Sequence, residues 1–197
     1  MYTSDVSYEL LTEENKEYFR DKIEAYNSGI SRYNEVLKKN SPRRDVTTFL
    51  FIDTRNGQII GYLAYCCSLL SVGRDIHPAI EIKTFAVDEK YRHNARIIQK
   101  LDDTEHKCTS FIFSIGIELL TCIGNTILSA DYIFLKSENH PKVKNFYRDN
   151  DFVEFATTDN IIRYWGSTTN SDYFLYEMAE TNEYNVDSLI DLLKRPT

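Results

Sequence analysis

Glu81 and Lys83 stand two residues apart in the stretch EIKTFAV. On a strand, Glu81, Lys83, Phe85 and Val87 then share one face, and the first two read as an ion pair or a solvated acid. A second cluster is basic: Lys90, Arg92, Arg96 and Lys100, with His93 among them. Grouped cations suit a phosphate, although a solvated face carries the same residues. Four cysteines (Cys66, Cys67, Cys108, Cys122) lack zinc-ligand spacing, and the four histidines are scattered, so no metal centre is expected. The motifs G-x-S-x-G, P-loop and H-E-x-x-H do not occur.

The 197 residues suggest one domain over 1–197. Hydrophobic residues at 42% and charged residues at 27% support a packed core. Lys and Arg number 23 against 30 Asp and Glu, a net charge of −7. An acidic chain is a poor general polyanion binder, so no nucleic-acid partner is expected, while a local basic strip for one phosphorylated ligand remains allowed. The sequence is read as having no run of about 18 apolar residues and no membrane partner. The first residues, MYTSDVSYELLTEEN, lack the features of a signal peptide. The cysteines read as buried reduced thiols of a cytoplasmic protein.

The elements that must position these residues follow from periodicity and turn chemistry. Residues 7–11 read as a strand, and Thr12 with Glu13 and Glu14 as a helix start. Phe19, Ile23, Tyr26, Ile30, Tyr33 and Leu37 form a helical stripe interrupted near Gly29. Strands are expected at 47–52, 58–70 and 79–87, the first two joined by Asn56-Gly57, a strong hairpin signal. Residues 88–107 show no stable period. Thr109 or Ser110 is expected to cap a helix through Phe111, Ile115, Leu119 and Ile123. A strand at 132–135, a helix opened by Pro141, strands at 152–156 and 173–178, and a terminal helix at 186–193 complete the order. Such mixed order argues an α/β or α+β sheet with helices on both faces.

Three stretches resemble the GNAT N-acetyltransferase superfamily. NGQIIGYL (56–63) is similar to its β-hairpin, EIKTFAVDEKYR (81–92) to its fourth strand and the start of the pyrophosphate loop, and YIFL (132–135) with FYRDNDF (146–152) to its fifth strand and "F-Y-x-x-x-G-F" helix exit. The resemblance implies a mixed, mostly antiparallel sheet of six to seven strands and acetyl-CoA as acyl donor. It implies transfer to a primary amine by direct attack. Such transfer needs a base for the ammonium proton, donors for the oxyanion and an acid for the leaving thiolate. Tyr147 matches the family's general acid, and Glu81 the position of a carboxylate base or water relay. Backbone at Phe85, Ala86 and Val87 would hold the acetyl carbonyl and pantetheine arm. Arg92, Ala95, Arg96, Thr109 and Ser110 would serve the pyrophosphate, with Asn139 and Lys144 toward the other end of the cofactor.

The sequence also departs from the family pattern. Ala95 and Ile97 occupy slots where the family has glycine, which allows close backbone approach to phosphate. Either the loop is longer, with 93–108 inserted before a helix starting at Thr109-Ser110, or the cofactor site has decayed. Asp151 stands for a glycine, and His140 lies near a common asparagine. The family's variable acceptor segments here carry Tyr26, Tyr33, Tyr164, Trp165, Tyr173, Tyr176 and Glu177, which suit a small cationic amine or a protein amine. The alternative is a non-catalytic module with this fold. A homodimer is compatible with either.

Overall fold

The structure is a computed structural model that describes residues 5–39, 45–72, 75–92, 108–155 and 172–178. The strands are β1 (Val6–Leu10), β2 (Thr47–Asp53), β3 (Ile59–Val72), β4 (Asp75–Val87), β5 (Tyr132–Ser137), β6 (Val153–Phe155) and β7 (Asp172–Glu177). The helices are α1 (Lys16–Ala25), α2 (Ser31–Lys39), α3 (Cys108–Ile123) and α4 (Pro141–Arg148). The seven strands form one sheet in the order β1-β2-β3-β4-β5-β7-β6. β4 and β5 pair in parallel, while β1–β2, β2–β3, β5–β7 and β6–β7 pair antiparallel. This is the mixed, mostly antiparallel α/β sheet expected from the sequence.

The described residues divide into two compact units, one within 1–65 and 84–116, the other within 66–83 and 117–192. In the first unit, alternation on β2 and β3 sends two sets of side chains to opposite faces. Leu50, Ile52, Tyr62 and Ala64 meet Phe19, Ile23 and Tyr26 of α1 and Leu37 of α2 in one apolar cluster. Phe51 and Leu63 face α3, where a Cβ on Gly116 would lie 2.7 Å from Leu63 and 3.5 Å from Phe51. Helices therefore cover both faces of this part of the sheet. The break between α1 and α2 falls at Gly29, whose φ of 69° an L side chain rarely adopts. The Asn-Gly turn after β2 likewise puts Gly57 at φ 68°.

In the second unit, Ala79 to Ile82 of β4 pair with Tyr132 to Leu135 of β5. One face carries Leu70, Ala79 and Phe134 with Tyr132, Tyr173 and Leu175 packed against them. The other meets the C-terminal turn of the long helix: a Cβ on Gly124 would lie 2.8 Å from Met178 and 3.4 Å from Ile80.

Three expectations need correction. The helix expected from Thr109 or Ser110 already includes Cys108, so neither is its cap and both lie in its first turn. The first helix is opened by Asn15, while Thr12 and Asn15 bond each other through side chain and backbone. Cys108–Leu128 runs as 21 helical residues, ending in one π-helical turn, with an 18-residue window of mean hydropathy 1.8 and Glu118 as its only charge. Its length and composition alone would suit a membrane span, but the core helix of a folded protein has the same length and composition. Thr109, Ser110, Ser114 and Thr121 interrupt the apolar residues along it. Half of the apolar window is buried in the protein, as a core helix requires, and Ile112, Phe113, Leu119, Leu120 and Cys122 are almost fully so. Of the thiols, Cys108 and Cys122 are buried as expected, whereas Cys67 is exposed. Burial pushes the Cys108 thiol up to about 11, which keeps it protonated and inert.

Candidate functional site

The C-terminal end of β4 is built by close backbone approach. A Cβ on Gly61 of β3 would lie 2.7 Å from the Ala86 carbonyl oxygen, so only glycine lets the strands come together there. Ala86 and Val87 are buried, and the Phe85 ring meets Phe113 of α3 at 4.9 Å. The chain then turns on Asp88. Its buried carboxylate accepts from the backbone N–H of Asn27 and of Lys90, both at 2.9 Å, and its own N–H donates to Ile60 (2.7 Å). Asn27 also accepts from Glu89 N–H at 2.9 Å, so the α1–α2 connection is tied to this turn. Within that connection, Ser28 donates to Asn34 (2.7 Å), and Asn34 donates to Asn27 (3.1 Å).

Arg92, expected at the pyrophosphate, points its guanidinium at backbone. Nε donates to the Val87 carbonyl (3.2 Å) and an Nη to the Ser28 carbonyl. Thr109 and Ser110 are half-buried in the first turn of α3, which carries no acidic residue. Ala95 and Arg96 lie outside the described residues, as do Ile97, Tyr164, Trp165 and the terminal helix expected at 186–193.

In the second unit, Tyr147 sits near the end of α4, half-buried, with its ring 5.5 Å from Phe174 and 6.1 Å from Phe152. The helix is well specified locally. His140 caps it by accepting from Lys142 N–H (3.2 Å), and Pro141 fills the first position. The chain leaves through Asp151 at φ 64°, the slot where a glycine was expected and where Asp is tolerated. Lys144 and Arg148 both pair with Glu154 of β6, and their bonds hold its carboxyl below the usual range. Asn139 is exposed just before the cap.

Glu81 is 16% exposed, and its carboxylate meets Lys83 Nζ at 2.7 Å, the ion pair read from the sequence. The Cys66 thiol reaches the same oxygen at 3.9 Å. Tyr173 lies close enough that, after burial, the Glu81 charge is the next cause raising its phenol, with Lys83 opposing. Glu81 pairs with Phe134 and Lys136 with Tyr173, so Glu81 and Tyr173 share a face of the sheet. Phe174, under Tyr147, points to the other face. The two residues expected to move protons thus approach the sheet from opposite sides.

Sequence reasoning singled out Tyr147, Glu81 and Lys83 but not the Asp88 turn or the Asn27 and Asn34 bonded around it. An Asn-Ser-Gly run at 27–29 signals a turn, but no local pattern shows that it docks 61 residues away. No group of three or more His, Cys, Asp or Glu able to hold a metal occurs among the described residues.

No protein-family model matches the sequence, and no curated protein matches it. Solved structures do. The KacTA–DNA complex aligns with TM-score 0.64 and 13% identity, over 88% of this chain and 93% of that one. A mutant AtaT toxin bound to the C-terminus of its antitoxin AtaR and acetyl-CoA aligns at TM-score 0.56 and 13% identity, over 88% and 94%. NAA60 of Arabidopsis thaliana with acetyl-CoA aligns at TM-score 0.52 and 13% identity, over 88% and 98%. At such identity what is shared is the path of the chain, and it is shared over nearly the whole length of each neighbour: this protein has the fold of the GNAT acetyltransferases.

Proposed function

We propose that the protein is an N-acetyltransferase that uses acetyl-CoA and delivers the acetyl group to a primary amine of a small cationic molecule or a protein. The observation that carries this reading is the fold shared with structures that hold acetyl-CoA, together with Tyr147 placed at the exit of α4. The described residues fit such a donor. The first turn of α3 offers N–H groups and the hydroxyls of Thr109 and Ser110, and that turn itself carries no acidic residue. Bound there, acetyl-CoA supplies an acyl group activated as a thioester.

The chain's own residues then divide the work. The backbone at Phe85 to Val87 donates to the acyl oxygen as charge builds on it. Glu81, released from Lys83 by the arriving ammonium, takes the ammonium proton directly or through water. The neutral amine forms the C–N bond as the C–S bond breaks, and the Tyr147 hydroxyl protonates the departing sulfur. Arg92 contributes by fixing the turn after β4.

The expectation of no nucleic-acid partner loses its support, because one fold neighbour is a complex with DNA. An amine carried on a nucleic acid therefore belongs in the acceptor screen. Among the described residues nothing favours the non-catalytic alternative over transfer.

Calorimetry with acetyl-CoA, followed by a screen of amines for released thiol, tests the reading. Saturable binding and amine-dependent thiol release are expected. Tyr147→Phe should keep acetyl-CoA affinity within about twofold and lower turnover about a hundredfold or more, the weight of a general acid. No binding at millimolar acetyl-CoA would overturn the assignment, and unchanged turnover would remove Tyr147 from the acid role.

A further inference from the structure

A pocket of about 250 Å³, open mouth included, lies in the first unit between the end of α1, the start of β3 and the turn after β4. It is lined by Lys22, Ala25, Tyr26, Gln58, Ile59, Asp88, Lys90 and Tyr91. Tyr26 in its wall is 4% exposed, and its hydroxyl is buried with no hydrogen-bond partner. A buried, unsatisfied hydroxyl is costly and uncommon. Lys22 makes no ion pair among the described residues; its ammonium lies 4.0 Å from the Tyr18 ring centroid and 5.2 Å from that of Phe19. Lys90 likewise makes no ion pair among the described residues, and both cations border the pocket.

We infer that this pocket binds a phosphoryl group, with Tyr26 as the buried donor and Lys22 and Lys90 as its counter-charges. One carboxylate, that of Asp88, also lines the pocket. The Asp88 carboxylate accepts two backbone N–H groups at 2.9 Å, which disperse its charge. Asp53, near Tyr91, is paired with Arg55. Burial, reinforced by Tyr62 and Asp88, raises the Tyr26 phenol far above neutrality, so it donates at every physiological pH. Lysines act as point charges, and the Arg92 guanidinium is committed to two carbonyls, so no planar fork is offered to a carboxylate. A tetrahedral phosphoryl group fits such a set better. The inference does not depend on acetyl transfer.

The test is calorimetry on the full chain without CoA, titrated with inorganic phosphate and separately with a nucleoside 5′-monophosphate. Saturable binding is expected; tighter binding of the monophosphate would assign the site to an ester, and equal binding to the free ion. Tyr26→Phe and Lys90→Ala should each weaken it about tenfold or more, the weight of a hydrogen bond to a charged group. Tyr26→Phe should also leave the melting temperature without ligand equal or higher, since only an unsatisfied hydroxyl is removed. Absence of saturable binding up to tens of millimolar of either probe would overturn the proposal, as would binding unchanged in both variants. A lower melting temperature in Tyr26→Phe would also overturn it, by showing that the hydroxyl already has a partner.

Discussion

Single side chains in this protein are often defined by what already holds them. Asp53 is 1% exposed at the end of β2, yet its carboxylate is fully engaged. Arg55 donates to it through Nε (2.9 Å), an Nη (3.0 Å) and its backbone N–H (3.0 Å), and Asn56 donates at 3.0 Å. The Arg55 bonds hold the Asp53 carboxyl below the usual range, against burial, which raises it. The charged form is therefore favoured in the fold. Its stabilisation is complete above the unfolded value of about 4 and is lost as pH falls through the lower folded value. Asp53→Asn should flatten the acid limb of a melting-temperature profile below about pH 4. At neutral pH it should cost about 1–3 kcal/mol, because buried donors lose their acceptor. An unchanged acid limb would place the acid sensitivity elsewhere. Arg92 makes the same point for function: a cation in a sequence motif announces charge, and only its partners, two backbone carbonyls, show what the charge does.

At the level of elements, the end of β4 depends on an absent side chain. Gly61→Ala would place a methyl 2.7 Å from a backbone oxygen that belongs to the neighbouring strand. The strands must part or bend, at a cost of about 1–3 kcal/mol, measurable as a shifted urea midpoint with unchanged slope. A neutral result would mean that the end of β4 yields more readily than a ladder should. Elements of this kind were largely legible in the sequence where punctuation was strong. Asn56-Gly57 fixed the first hairpin, Gly29 the helix break and Pro141 the start of α4. Asp151 at φ 64° fulfils the role that the motif gives to glycine. Boundaries were less legible where composition misleads. β4 begins at Asp75 rather than 79, because Pro78 and the polar residues before it conceal a strand. Of the candidate site, the motif-borne Tyr147 and the local Glu81–Lys83 pair were readable, whereas the Asp88 turn and the Tyr26 pocket depend on contacts between distant segments, which no periodicity encodes.

On the scale of the whole molecule, the fold agrees with known acetyltransferases over 88% of the chain although only 13% of residues are identical. The sheet order is thus kept while most side chains differ, and activity has to be argued from the few positions that touch chemistry. The division into two compact units raises a different question, whether they unfold together. β3, β4 and α3 each run unbroken from one unit into the other. Melting either unit would sever hydrogen-bonded ladders or helical turns at the ends of elements in its partner, exposing backbone groups that each cost free energy when left unpaired. One cooperative transition is therefore expected. Hydrogen exchange under increasing urea, read on peptides covering 47–65 and 132–148, should give coincident midpoints, and the far-UV circular dichroism should fall in the same single step. If the 132–148 peptides exchanged at clearly lower urea while 47–65 stayed protected, the chain would consist of two separately folding parts, and a single domain over 1–197 would be the wrong description.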